Sequence, residues 1–210
     1  MEPSLCLCEE GWFFYAWKSI LCYDLVKQGK VWLAMKEEIQ DIRLAKKEDL
    51  EEVLELLVNA AGWLRSKGTK QWDYYLTDLE GNKEEIIASI ENDSTYIVEH
   101  DGKAMATLTL ESAPNEWDVD IWGEEAGDDV AYLHRLAVHR DFAGKGIGTS
   151  LLDWAENAMR TSGKKSIRFD CIAANEGLNS YYQKRYPLKE VINIHGRHCK
   201  YEVPLMKKPL

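Results

Sequence analysis

The sequence has no surplus of basic residues and no hydrophobic run of membrane-spanning length. Its 210 residues carry 36 Asp and Glu against 26 Lys and Arg, a formal net charge of -10. A field of this sign repels phosphate backbones and anionic membranes, so neither nucleic acid nor a membrane is expected as a partner. The apolar stretch 11–23 contains Lys18 and falls short of the ~20 residues that span a bilayer. The 45% of hydrophobic residues suffices for the core of one α/β domain.

Several motifs that would indicate another chemistry are also missing. The five cysteines form no C-x-x-C pair and no zinc-type cluster with histidine, so no metal is expected and the thiols are expected to be reduced. The first residues are acidic instead of basic, unlike a secretory signal peptide, which favours a cytoplasmic location. There is no Walker A loop and no G-x-S-x-G motif. A Rossmann fingerprint that starts at Gly144 fails at its third glycine, where Thr149 stands.

Residues 1–38 differ from the rest and are predicted to be an N-terminal extension to a domain over 39–210. Three of the eight tryptophans lie in this extension, and four apolar residues form one helical stripe. The stripe consists of Phe14, Trp17, Leu21 and Leu25. Three interpretations stay open: a docking or dimerisation helix, an appendage packed on its own domain, or a chain that naturally starts at Met35. A homodimer is therefore left open.

The remaining sequence alternates between helical and strand patterns. An Asp101-Gly102 pair between two alternating runs predicts a β-hairpin with a type I′ turn. Asn82-x-x-Glu85 predicts a capping box that opens a helix. The acidic, tryptophan-rich stretch 115–129 is predicted to be an elaborated loop or an extra hairpin. The other predicted elements are helices over 48–66, 148–161 and 175–184 and strands over 42–45, 130–138, 166–172, 191–194 and 198–203.

The stretch that points to chemistry is a strand that runs through glycines directly into a helix. The first amides of a helix lack intrahelical partners and carry partial positive charge. Glycines at 144, 146 and 148 let the backbone bend and approach a ligand without Cβ collisions. Such a turn is suited to bind a pyrophosphate, and Arg140 and Lys145 can add positive charge. An acidic protein can thus still hold an anionic cofactor.

Three motifs in this region together resemble the GNAT superfamily of N-acetyltransferases. They are Tyr132-Leu133-His134-Arg135-Leu136-Ala137-Val138, then Gly144-Lys145-Gly146-Ile147-Gly148, then Asn175 followed by Tyr181-Tyr182. The resemblance spans about residues 40–204 and is most specific over 130–186. The sequence departs from the family pattern at Ala143, where Gln or Arg is usual. It departs again after Tyr182, where the usual Y-x-x-x-G-F is shortened and has no glycine.

The resemblance implies an α/β fold with a central mixed, mostly antiparallel sheet, a splayed parallel strand pair and flanking helices. It also implies acetyl-CoA as cofactor, held by the turn amides and by the opened edge of the strand. The implied cofactor-binding residues are Leu136, Ala137, Val138, Ala143, Gly144, Lys145, Gly146, Ile147, Gly148, Thr149, Asn175 and Tyr182.

Two catalytic residues are implied in the same way. Tyr182, seven residues after Asn175, matches the tyrosine that protonates the departing thiolate, with Tyr181 as the fallback. His134 is the candidate base, since arylalkylamine acetyltransferases of this superfamily carry a histidine at the matching place in a similar H-x-L-A-V run. Simple core packing is the alternative for all three rings. Acidic residues of 116–129 could instead accept the proton through water.

The implied reaction is direct attack of a primary amine on the thioester. The acidic stretch predicts a small cationic or peptide acceptor. Trp63, Trp72, Tyr74 and Tyr75 either wall the acceptor cleft or simply pack. A covalent route through Cys171 is conceivable, but that residue alternates with core residues. The alternative function is a catalytically idle acyl-CoA-binding sensor or a module that binds a protein partner.

Overall fold

The computed structural model describes residues 42–205, and within them seven strands form one sheet. The strands are β1 (Ile42–Leu44), β2 (Thr95–His100), β3 (Lys103–Glu111), β4 (Ala131–Val138), β5 (Ser166–Ile172), β6 (Leu188–Asn193) and β7 (Arg197–Pro204). Their order is β1-β2-β3-β4-β5-β7-β6, and β4–β5 is the parallel pair among antiparallel neighbours. The predicted mixed, mostly antiparallel sheet is confirmed. The N-terminal extension and its three interpretations lie outside the described residues.

Six α-helices accompany the sheet in this part of the chain. They are α1 (Leu50–Ser66), α2 (Tyr74–Thr77), α3 (Lys83–Glu91), α4 (Glu116–Trp122), α5 (Ile147–Thr161) and α6 (Glu176–Gln183). Ala137 of β4 packs in a core cluster with α1, α2 and α3. The neighbouring side chains of Leu136 and Val138 instead approach the start of α5. Because successive side chains of a strand point to opposite faces, these helix groups cover opposite sides of the sheet. No helix among residues 42–205 is long and apolar enough to cross a membrane.

The parallel pair β4–β5 separates soon after it begins. Its backbone pairing consists of Ala131 with Ile167 and Tyr132 with Arg168. The rest of β4, residues 133–138, has no partner on β5, so one edge of this central strand is free. An unpaired strand edge inside a sheet leaves N–H and C=O groups available for a ligand. The predicted splayed strand pair is confirmed.

A β-bulge lies in β4 at the same level. The register of β3 against β4 shifts between Thr107 and Thr109, and Arg135 has a φ of 51°. A non-glycine residue in this left-handed region is strained and must be held by its surroundings. The Arg135 Nε donates to Thr109 Oγ1 over 3.1 Å, and its guanidinium pairs with Glu85. Both contacts hold the bulge directly after His134.

Two sequence predictions are wrong in detail. The stretch 115–129 contains the helix α4 and a 3-10 turn over Gly123–Glu125 instead of a loop or hairpin. Its missed signal is Asn115-x-x-Asp118, a capping box in which the Asn115 side chain accepts from the Asp118 amide. The predicted capping box at Asn82 does not form. The Asn82 side chain makes no cap hydrogen bond, and its Nδ2 donates to the Asp78 carbonyl.

The β2–β3 hairpin gives a stability prediction. Asp101 and Gly102 have φ values of 51° and 71°, the type I′ geometry that the sequence predicted. We expect Gly102→Val to lower the free energy of unfolding by about 1–2 kcal/mol, because a β-branched residue is strained at positive φ. Urea denaturation measures the change. As control, Gly62→Ala in α1 has open space for its Cβ and should raise stability by about 0.5–1 kcal/mol. Equal stability of Gly102→Val and wild type would contradict this account of the turn.

Candidate active site

The glycine turn after β4 has the geometry of an anion site. Gly144 and Gly146 have φ values of 78° and 81°, and Gly146 is the N-cap of α5. The first hydrogen bond of the helix runs from the Ser150 amide to the Gly146 carbonyl over 3.0 Å. Among the described residues, the backbone amides of 144–149 find no backbone acceptor. Together with the positive end of a 15-residue helix, these free amides suit a diphosphate.

The space beside the turn is tight at Gly148. A Cβ on Gly148 would lie 3.2 Å from the Tyr181 hydroxyl and 3.9 Å from side-chain carbons of Leu136 and Val138. The Tyr181 hydroxyl also lies 3.2 Å from Thr149 Oγ1. The start of α5, the free part of β4 and helix α6 therefore meet here.

Positive charge lies next to the turn, as the sequence predicted. The guanidinium of Arg140 stacks 3.9 Å from the ring centre of Trp63, and the Lys145 ammonium lies 5.0 Å from that of Phe142. Both cations come from residues 140–145 and offset the acidic balance of the protein locally. Ala143 follows the 3-10 turn Arg140–Phe142 and contributes backbone only.

Asn175 is tied to the protein by both ends of its side chain. Its Oδ1 accepts from the Leu178 amide and caps α6, while its Nδ2 donates to Gln71 Oε1 over 2.6 Å. The second bond joins the segment after α1 to the start of α6. A cofactor contact of the Asn175 side chain would have to compete with Gln71, so that role stays a prediction.

The two candidate tyrosines have different surroundings. Tyr182 is 6% exposed and packs against Phe169 and Tyr201 with ring centres 4.7 and 5.5 Å apart. No hydrogen bond of its hydroxyl is found among residues 42–205. Burial raises the pKa of Tyr182, so the hydroxyl keeps its proton. Tyr181 is only half-buried, with its hydroxyl at the start of α5.

His134 lies in a hydrogen-bonded network with two carboxylates. Its Nε2 is 3.1 Å from Asp118 Oδ2 on α4 and 3.6 Å from Glu111 Oε2 on β3. Asn115 contacts both acids: its side-chain Nδ2 donates to Glu111 Oε2, and its backbone amide donates to Asp118 Oδ2. The three ligand atoms lie within 4.8 Å of one another, a spacing that could also hold a small cation. The sequence placed Asp118 in an acidic loop but did not predict its direct bond to the histidine.

The surroundings of His134 raise its pKa. Burial alone lowers the pKa of a histidine, since the side chain is only 14% exposed. The hydrogen bond to Asp118 and the charges of Asp118 and Glu111 outweigh this effect. A neutral His134 must carry its proton on Nε2 to donate to Asp118, so its Nδ1 has a free lone pair.

Other candidates are less suited to chemistry. Burial raises the pKa of the Cys171 thiol to about 12, which disfavours a reactive thiolate. Of the aromatic residues proposed for an acceptor wall, Tyr75 is buried in the core, whereas Trp63 and Tyr74 are exposed. Trp72 is partly buried against the same core cluster.

Comparison with known proteins connects this geometry to a family. The model of the acetyltransferase (GNAT) family matches residues 51–186. An uncharacterized N-acetyltransferase, YesJ of Bacillus subtilis, is 39% identical over 137 residues, which cover 65% of this chain and 75% of that protein. An S-(2-succino)cysteine N-acetyltransferase of Bacillus subtilis is 30% identical over 118 residues, 56% of this chain and 64% of that one. A GNAT-family acetyltransferase structure from Listeria monocytogenes superposes with a TM-score of 0.65 at 27% identity and covers 79% of this chain and 94% of its own.

The glycine turn gives a binding prediction with a matched control. Gly146→Asp should weaken acetyl-CoA binding at least about 100-fold, because it adds a like charge and a side chain among the free amides. Gly163→Asp places the same residue at the other end of α5, also at positive φ, and should bind normally. Isothermal titration calorimetry with acetyl-CoA measures both variants. If they bind alike, the turn is not the diphosphate site.

Proposed function

This chain belongs to the acetyltransferase (GNAT) family and is an acetyl-CoA-dependent acyltransferase, and we propose that its acceptor is the primary amine of a small cationic molecule or a peptide. The observation that carries the proposal is the His134 imidazole bound to Asp118 at the point where β4 and β5 separate. Family membership and relatives named N-acetyltransferases favour turnover over the alternative of a catalytically idle acyl-CoA-binding module.

The cofactor is assigned to the glycine turn and the free strand edge. The amides of residues 144–149 would bind its diphosphate, and the unpaired backbone of Leu136, Ala137 and Val138 would bind its peptide-like arm. Thr149 at the start of α5 and Tyr182 on α6 are assigned to the cofactor as well. Bound acetyl-CoA supplies an acetyl group activated as a thioester.

His134 is proposed to take the proton that an ammonium must lose before its nitrogen can attack. The lone pair on Nδ1 is free to accept it, because the bond to Asp118 occupies Nε2. A raised pKa makes the imidazole a better proton acceptor near neutral pH. The negative charges of Asp118 and Glu111 then stabilise the imidazolium that forms.

Tyr182 is proposed to donate its hydroxyl proton to the departing sulfur. Burial of the Tyr182 ring keeps the proton on its hydroxyl, and this hydroxyl has no hydrogen-bond partner among residues 42–205 that would compete for the proton. The second proton of the attacking amine would restore the tyrosine, so that one proton in total leaves through His134. Tyr181 is the alternative donor, although its hydroxyl lies nearer the diphosphate turn.

The acceptor class follows from charge. Carboxylates of Glu111 and Asp118 surround the proposed base, and such a site attracts an ammonium group. The relative named S-(2-succino)cysteine N-acetyltransferase supports a small amine of amino-acid type within this class. A homodimer stays a prediction.

A panel of primary amines tests the proposed acceptor. Thiol release from acetyl-CoA is followed with polyamines, aminoglycosides, amino acids and a peptide with a free N-terminus, beside thermal shift with acetyl-CoA alone. We expect release with at least one cationic amine. Thermal stabilisation by acetyl-CoA without release on any amine would contradict the proposal and favour the idle module.

Removal of one hydroxyl tests the proton donor. Tyr182→Phe should lower kcat by about 10²-fold or more while the Kd for acetyl-CoA stays unchanged. Tyr181→Phe is the matched control and should keep most of kcat. Steady-state kinetics and calorimetry separate the two effects. If Tyr181→Phe shows the larger loss of kcat, the two tyrosines exchange roles.

The pH profile tests the His134–Asp118 pair. The base acts when neutral, so activity rises as pH passes its pKa, and the raised pKa of His134 places this limb above the ordinary 6.5. Asp118→Asn keeps an acceptor for the Asn115 amide but removes the charge. We expect the limb of kcat/KM to move to lower pH and the rate to fall about tenfold or more.

A neighbouring carboxylate on the same helix serves as control for this profile. Asp120 lies 2.8 Å from the exposed His195 and does not contact His134. Asp120→Asn removes the same charge and should leave the profile in place. A common shift in both variants would mean that the general field, not the Asp118 bond, sets the basicity of His134.

A further inference from the structure

The strand split brings a second side chain next to His134. Tyr132 and Arg168 are the last backbone pair of β4 and β5. Two residues further along each strand stand His134 and Asp170, on the same face of the sheet as that pair. They are thus the first side chains on this face that border the opening between the strands. His134 lies on its β4 side and Asp170 on its β5 side; these two sides are called the lips of the split below.

Helix α4 holds both lips through consecutive residues. Asp118 lies 3.1 Å from His134, and the Trp117 indole Nε1 donates to Asp170 Oδ1 over 3.0 Å. The helix therefore spans the split on this face. Because Trp117 and Asp118 are adjacent in the chain, the distance between the two lips is set by one short, capped helix.

Asp170 is a buried carboxylate whose ionisable partner is a histidine, not a lysine or an arginine. Its side chain is 9% exposed, and its Oδ2 lies 2.7 Å from Nδ1 of His198, which is itself buried. Within residues 42–205 no lysine or arginine forms an ion pair with Asp170. Arg168, the nearby candidate, pairs with Glu202 and Glu125 instead. A carboxylate at low exposure that is paired with a histidine, and with no lysine or arginine, has no permanent counter-charge and attracts an ammonium.

We propose that Asp170 binds the ammonium group of the acceptor at the split, opposite His134. This inference rests on the proposed function and names a specificity residue for it. Trp117 and His198 hold the two carboxylate oxygens and leave a lone pair on each for the substrate. The site selects primary amines that are charged in solution over neutral nucleophiles of the same size, because only a cation gains from the negative charge of the carboxylate.

Asp170→Asn tests the assignment with the amine that releases most thiol with the wild type. The amide keeps the shape and an oxygen for Trp117 but removes the charge. We expect the KM for that amine to rise about 10- to 100-fold, the usual effect of losing a hydrogen bond to a charged group. The Kd for acetyl-CoA, measured by calorimetry, should stay unchanged, as should both constants in the control Asp120→Asn.

The outcomes separate this inference from the function on which it rests. An unchanged amine KM, or an equal loss of acetyl-CoA affinity, would overturn the role of Asp170 and leave acetyl transfer standing. Absence of thiol release with every amine in the wild type would overturn both. Circular dichroism checks folding of Asp170→Asn. If this variant does not fold, Trp117→Phe serves as the second test, because it removes the indole donor that fixes the orientation of the Asp170 carboxylate. We expect the amine KM to rise several-fold, since a carboxylate free to rotate no longer holds its oxygen towards the ammonium, and an unchanged KM would overturn the inference.

Discussion

The early end of the β4–β5 pairing is the constraint on which the rest of the structure depends. Two backbone pairs join the strands, and after Tyr132 and Arg168 the two strands diverge and are no longer hydrogen-bonded to each other. A parallel pair buried in a sheet would normally continue, because every unpaired N–H and C=O inside a protein costs free energy. The bulge at Arg135, which a hydrogen bond to Thr109 holds in place, lies at the same level as this opening, and helices cover both faces of the sheet. It leaves one edge of β4 unpaired, with His134 and Asp170 on either side of the opening on one face of the sheet.

The two sides of this opening use different physics. On the side of α5 and α6, the binding groups are main-chain amides and a helix dipole, which act on an anion although the whole chain carries a net charge of -10. On the side of α4, the groups are carboxylates and histidines, and the negative carboxylates attract the positive charge of an ammonium group. The local origin of each field would allow one acidic protein to hold an anionic cofactor and the proposed cationic acceptor a short distance apart.

The sequence predicted the elements that depend on local signals. The Asp101-Gly102 turn and the glycines before α5 need particular φ values, so their positions were readable from residue type alone. The tertiary contacts of α4 could not be predicted from the sequence. Asp118 meets His134, and Trp117 meets Asp170, through tertiary packing between segments 16 and 53 residues apart. The extra helix itself had a signal, the capping box at Asn115, but the acidic, tryptophan-rich composition favoured a loop.

This division bears on how such a site can change its acceptor. The main-chain amides of residues 144–149 would bind the diphosphate whatever the neighbouring side chains are, provided that glycine permits the turn. The acceptor side, in contrast, is built from a few side chains held by a seven-residue helix between β3 and β4. A substitution in α4 would alter the basicity of His134 or the position of Asp170 without touching the diphosphate turn. Acceptor specificity is therefore expected to reside in α4 and its partners, and cofactor binding in the backbone of the opposite face.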